Sequence, residues 1–136
     1  MEEYILNEDI KVMCITAESF PNGVLAAHQK LHALFPPGKQ RRYFGISRPN
    51  GKREIIYKAA VEEIADDEIG KFGVETFIIK KGTFISELVP NFMIDVSRIG
   101  KTFEKLLKQP NIDPNGYCLE MYINKTDVRL MVGIKK

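Results

Sequence analysis

The chain has no tryptophan, two cysteines, no long apolar run and almost no net charge, and each scarcity excludes something. Cys14 and Cys118 are far apart, form no Cys-x-x-Cys pair and have no histidine at zinc-ligand spacing. Neither a disulfide framework nor a zinc site is expected, and the thiols read as reduced. Apolar residues nowhere run to the roughly 18 needed to cross a bilayer, and the N-terminal Met-Glu-Glu-Tyr-Ile has neither a basic nor an apolar leader segment. The expectation is a soluble, cytoplasmic protein without membrane contact. Lys+Arg 20 against Asp+Glu 18, net +2, is far from the balance of a dedicated nucleic-acid binder. No serine nucleophile elbow, phosphate loop or dinucleotide glycine fingerprint occurs, so no cofactor is expected.

What is present fits one domain over residues 1–136, with 44% apolar residues and enough length to bury a core without disulfide or metal. Residues 10–18 read as a strand, followed by a turn at Phe20-Pro21-Asn22-Gly23. Val24, Ala27, Leu31 and Leu34 then recur at helical spacing, with Asn22 near the N-cap and Pro36-Pro37-Gly38 as the stop. Residues 43–47 and 55–61 flank Asn50-Gly51, the pair that favours a two-residue hairpin turn. That turn sets Phe44 opposite Tyr57 and Ile46 opposite Ile55. One face then carries Phe44, Ile46, Ile55, Tyr57 and Ala59, and the other Tyr43, Gly45, Ile56 and Lys58.

The second half follows the same order. Residues 74–79 and 83–89 read as strands about Lys80-Lys81-Gly82, and Phe92, Val96, Ile99, Phe103 and Leu106 stripe a helix between Asn91 as cap and Pro110. A closing hairpin joins 117–123 to 128–134 through Asn124-Lys125-Thr126-Asp127. A strand, helix, strand, strand module thus repeats over about 10–65 and about 72–136. The fold class implied is α+β, two helices against antiparallel sheets.

Tyr117-Cys118-Leu119-Glu120-Met121-Tyr122-Ile123 is the most informative segment. Alternation assigns Leu119, Met121 and Ile123 to the core and Cys118, Glu120 and Tyr122 to the other face. A lone carboxylate amid aromatic, sulfur and apolar side chains is costly to bury unless it meets a cation or hydrogen-bond donors. One explanation is a wet face, or a cross-strand pair with Arg129. The other is an apolar, aromatic-lined cleft between the halves with Glu120 at its floor, suited to a lipophilic cation or a donor-rich ligand. If Glu120 is buried without a permanent partner, its carboxyl titrates above the ordinary range and its ionisation opposes folding.

At this strand the sequence resembles the GyrI-like (gyrase-inhibitor-like) effector-binding domains, also found behind DNA-binding helices in AraC-type and multidrug-responsive MerR-type regulators. The resemblance rests on the element order, on Ile79-Lys80-Lys81-Gly82-Thr83-Phe84, and on Asn115-Gly116-Tyr117-Cys118-Leu119-Glu120-Met121-Tyr122. It covers about residues 4–136, with the Glu-x-Tyr step its only fairly specific motif. It implies a duplicated module with pseudo-two-fold symmetry whose two sheets form a saddle over a ligand cleft, with Glu120 in that cleft. Some family members that hydrolyse small electrophilic compounds depend on tryptophans beside the glutamate, and this chain has none. With both helices used in the repeats, no DNA-binding helix pair is expected, which implies a stand-alone bacterial-type sensor or binder.

The sequence reading is therefore a small-molecule-binding module for an apolar, aromatic or cationic ligand. Glu120, Tyr122 and Tyr43 are its candidate lining residues, with Met131 as an adaptable wall. Tyr57 is a further candidate if the hairpin slips by one residue. No catalytic residue is assigned. An enzyme reading would have Glu120 activate water with Tyr122 as donor, and a third reading is a protein-interaction module holding a partner protein. His28 and His32, four residues apart on the first helix, lack the glutamate of a His-Glu-x-x-His motif and read as boundary histidines, not metal ligands. Lys39, Arg41, Arg42, Arg48, Lys52, Arg53 and Lys58 make residues 36–58 basic. The following acidic residues Glu62, Glu63, Asp66, Asp67, Glu68 and Glu75 supply a counter-field, so no DNA binding is expected.

Overall fold

The computed structural model describes residues 1–35, 41–49, 54–64 and 74–135. The fold is α+β, with antiparallel strands β1 (Glu2–Leu6), β2 (Ile10–Thr16), β3 (Tyr43–Pro49), β4 (Ile55–Glu62), β5 (Glu75–Ile79), β6 (Gly82–Val89), β7 (Cys118–Tyr122) and β8 (Val128–Gly133). The described residues also form helices α1 (Val24–Leu34) and α2 (Ser97–Leu107). No described helix is long and apolar enough to cross a membrane. The chain forms two compact units, Asp9–Lys80 and Met1–Glu8 with Lys81–Lys136.

In the Asp9–Lys80 unit the strand order is β3-β4-β2-β5. Alternation along each strand turns Met13 of β2 and Tyr57, Ala59 and Val61 of β4 toward Ala27, Leu31 and Phe35 of the α1 region. The expected helical stripe ended on Leu34, but Leu34 is 39% exposed and Phe35, one residue past the helix, is buried in its place. Asn22 does not cap α1; Gly23 occupies the cap position without a side-chain hydrogen bond. A Cβ on Gly23 would stand 2.8 Å from the Ser19 backbone, so this close turn requires glycine.

The β3–β4 register differs from the expected one by three residues. Tyr43 pairs with Val61, Gly45 with Ala59 and Ser47 with Tyr57, placing Tyr43 and Tyr57 on the α1 side. Phe44 and Ile46 take the opposite face with Lys58 and Ala60. The pairing is continuous out to Pro49 opposite Ile55, so the connection is longer than two residues and the offset is odd, which exchanges the faces. Asn50-Gly51 and Pro36-Pro37-Gly38 lie outside the described residues.

In the other unit the order is β1-β6-β8-β7. Strand β1 was not read from the sequence, because Glu2-Glu3 at its start hides the apolar alternation. It pairs with β6 from Glu2 opposite Ser86 to Leu6 opposite Gly82. Helix α2 seats Phe103 and Leu106 on Val128, Leu130 and Val132, where full burial of each such side chain contributes about 1.5–3 kcal/mol. The helix begins six residues after Asn91, the expected cap. Asn91 is left-handed (φ 52°), Phe92–Ile94 form a short 3-10 turn and Asp95 is extended. The Asp95 carboxylate instead accepts the Ser97 backbone N–H at 3.1 Å and starts the helix.

Candidate functional site

Strand β7 pairs with β8 so that Cys118 faces Val132, Glu120 faces Leu130 and Tyr122 faces Val128. Those partners belong to the core under α2, so the Cys118, Glu120 and Tyr122 side is the helix-covered face, the reverse of the expected assignment, and Ile123, expected in the core, is exposed. Leu119 and Met121 lie on the other side with Arg129 and Met131, and all of the apolar members are buried. Both faces of β7 thus carry apolar partners, and Glu120 is 8% exposed.

The Tyr122 hydroxyl donates to Glu120 Oε1 at 2.6 Å. This short bond supplies one of the donors that a carboxylate in an apolar layer requires. The Tyr122 ring lies 5.7 Å, centroid to centroid, from the ring of Phe92 in a tilted arrangement. Phe92 is fixed in turn by its own N–H, which donates to the Thr126 carbonyl at 2.9 Å. The turn beneath it is ordered by Asn124, whose Oδ1 accepts the N–H groups of Thr126 and Asp127. A carboxylate, a phenol and a second aromatic ring therefore converge at one end of β7.

The alternative cation for Glu120 is directed elsewhere. Arg129 stands opposite Met121 and points to the other face. There Nη1 donates to Glu2 Oε1 at 2.6 Å and to Ser86 Oγ at 3.2 Å, and the guanidinium lies over Tyr4. Met131, an expected wall residue, is on this same side, away from Glu120.

The other two candidate tyrosines, Tyr43 and Tyr57, serve the Asp9–Lys80 unit. Tyr57 is 2% exposed, its hydroxyl is 2.8 Å from His28 Nε2, and Phe20 stacks on its ring at 6.0 Å. Burial, aided by nearby His32, lowers the His28 pKa to about 4. Tyr43 donates to the Phe35 carbonyl at 2.9 Å and stacks on His32 at 4.6 Å. The two histidines thus act as aromatic and hydrogen-bonding neighbours of tyrosines, and no cluster of metal-binding side chains occurs among the described residues. Tyr57 lies on the helix side, as the expected hairpin placed it without a slip, while Tyr43 is brought there by the corrected β3–β4 register.

Two cations of the basic segment meet the acidic residues that follow it. Arg42 forms a two-pronged ion pair with Glu62 at 3.1 and 2.8 Å, and Lys58 pairs with Glu75. Two open grooves, of about 440 Å³ between β6 and α2 and about 300 Å³ between β2 and α1, lie apart from Glu120 and are edged by charged side chains such as Lys105 and Lys30.

No family model matches the chain, and no curated protein matches it either. Solved structures do share its fold. An integron cassette protein from the mobile metagenome of Vibrio cholerae superposes with a TM-score of 0.74 at 8% identity, covering 98% of this chain and 95% of that one. SAV2435, solved bound to tetraphenylphosphonium, gives a TM-score of 0.64 at 14% identity over 98% of this chain and 93% of its own. A Staphylococcus aureus protein described provisionally as a bacterial transcription regulation protein gives 0.63 at 11% identity, covering 99% and 97%. At these identities the likeness is one of fold.

Proposed function

We propose that this chain is a small-molecule-binding protein of the GyrI-like, effector-binding type, and that its ligands are lipophilic cations held at Glu120. The observation that carries the reading is the buried Glu120 carboxylate, bonded to the hydroxyl of Tyr122, whose ring in turn meets Phe92. A carboxylate in an apolar, aromatic layer gains from a cation that brings little hydration of its own, and ring faces attract the same charge. The fold shared with a tetraphenylphosphonium-bound protein supports the choice of ligand class. Both units present a strand, helix, strand, strand order with the same pairing pattern, which supports a duplicated module.

Tyr43, Tyr57 and Met131 are left out of the proposed site, because the first two are engaged beneath α1 and the third points to the opposite face from Glu120. The test is calorimetric titration with tetraphenylphosphonium, tetraphenylborate and neutral tetraphenylsilane. The reading expects selective binding of the cation, weakened at least about tenfold in Glu120→Gln with the fold retained. Equal affinity for cation and anion, or an unchanged Glu120→Gln protein, would sink it. Incubation of the same protein with activated esters and epoxides separates binding from turnover.

A further inference from the structure

Residues 92–96 carry an unusual load of apolar surface in water. Met93 is 68% exposed, Ile94 84% and Val96 58%, consecutive but for Asp95, whereas Phe92 beside them is part-buried. The segment is anchored at both ends. On one side Asn91, in the left-handed conformation, donates its N–H to Asp127 Oδ1 at 3.1 Å, and Arg98 holds the Asn91 carbonyl at 2.9 Å. On the other side Asp95 accepts from the Ser97 N–H and hydroxyl. Between the anchors, Phe92 ties the segment to the rest of the unit: its N–H donates to the Thr126 carbonyl, its ring meets Tyr122, and it packs, part-buried, on the core under α2.

We propose that residues 92–96 are a strap over the Glu120 site: Phe92 is its plug, and Met93, Ile94 and Val96 close on the apolar arms of a bound lipophilic cation. The inference rests on the reading of Glu120 given above and adds the residues that admit and retain the ligand. The strap is continuous with the carboxylate through the Phe92, Tyr122 and Glu120 contacts, so a cation drawn to Glu120 meets Phe92 on the way. Opening it breaks the Phe92 backbone hydrogen bond, its ring contact with Tyr122 and its packing on the edge of the α2 core, and leaves both anchors intact. Methionine and isoleucine exposed side by side then supply adaptable apolar surface that a ligand covers.

Two measurements test this. In amide hydrogen exchange on the full chain, the Phe92 N–H, though hydrogen-bonded, should exchange at least about a hundredfold faster than the Leu106 N–H in α2. Equal protection at the two sites would overturn the strap without any ligand present. In stopped-flow binding of tetraphenylphosphonium, Phe92→Ala should raise the association rate constant by about threefold or more, and the double variant Met93→Ser, Ile94→Ser should speed dissociation by about tenfold. Cation-selective, Glu120-dependent binding with rates indifferent to both variants would remove the strap and leave the Glu120 reading standing. Absence of Glu120-dependent binding together with a fast-exchanging Phe92 N–H would instead remove the Glu120 reading and, with it, the ligand assigned to the strap.

Discussion

Tyr122 reaches back along its own strand to Glu120: the two side chains share a face of β7, two residues apart, and meet at 2.6 Å. Period-2 geometry puts alternate residues side by side, so the sequence Glu-x-Tyr is enough to build the pair once the strand forms. Removing the donor while keeping the ring tests how much the carboxylate depends on it. Tyr122→Phe is expected to lower the free energy of unfolding by about 1–3 kcal/mol, with a smaller loss in Glu120→Gln, whose amide oxygen still accepts. Urea titration of the three proteins decides, and identical midpoints for Tyr122→Phe and wild type would show that the bond contributes nothing.

Arg129 supplies an internal control. It lies on the face of β8 away from Glu120 and is spent on Glu2 and Ser86. Arg129→Met should therefore leave tetraphenylphosphonium affinity within about twofold of wild type, since neither long-range attraction nor repulsion by one screened cation changes binding much more. A rise or fall of tenfold would show that the two residues act on the same ligand.

The buried His28 makes stability pH-dependent with a definite sign. Its pKa is lowered to about 4 by burial and the neighbouring His32, against 6.5 for the unperturbed ring. Between those values the unfolded chain binds the proton and the folded chain does not. The contribution is thus complete above about pH 6.5 and lost as pH falls toward 4, amounting to at most about 3 kcal/mol. Wild type should show a steeper decline in unfolding free energy over that window than His28→Gln. A His28 ring resonance titrating near 6.5 in the folded protein would contradict the burial on which this depends.

Cys14 is 2% exposed, and burial pushes its thiol up to about 12. The reactive species is the thiolate, so labelling by a disulfide reagent at pH 8 should be at least about a hundredfold slower at Cys14 in the folded protein than in denaturant. Mass spectrometry of the labelled peptides gives the rate directly, and rapid modification of Cys14 without denaturant would be the contrary result.

The elements with strong local signals were legible in the sequence. Helix α1 was placed by its apolar spacing, although the cap expected at Asn22 falls on Gly23, and β7 was placed by its strict alternation. Three features were not. Strand β1 begins with two glutamates and gains its place only by pairing with β6. The start of α2 depends on Asp95 capping Ser97, while Asn91 offered an equally good cap in sequence but adopts a left-handed turn. The face of Tyr43 turned on whether two residues or more connect β3 to β4, a parity that local composition does not encode. At the candidate site the alternation of β7 was legible but not which face the helix covers: Glu120 and Tyr122, expected opposite the core, lie on the α2 side, and Phe92, which meets Tyr122, was assigned to a helix stripe that does not extend so far.

The pairing of β1 with β6 also has a consequence for synthesis. Ser86 donates to the Glu2 carbonyl across a separation of 84 residues. On a ribosome, which adds about 5–20 residues each second, the first strand emerges seconds before its hydrogen-bonding partner exists. Residues Asp9–Lys80, contiguous in the chain, can assemble during that wait, whereas β1 has to remain extended and unpaired until the second half has been made. The order of birth and the order of assembly are therefore opposed at the N-terminus, and a bulky fusion placed before Met1 would act first on the last strand to dock.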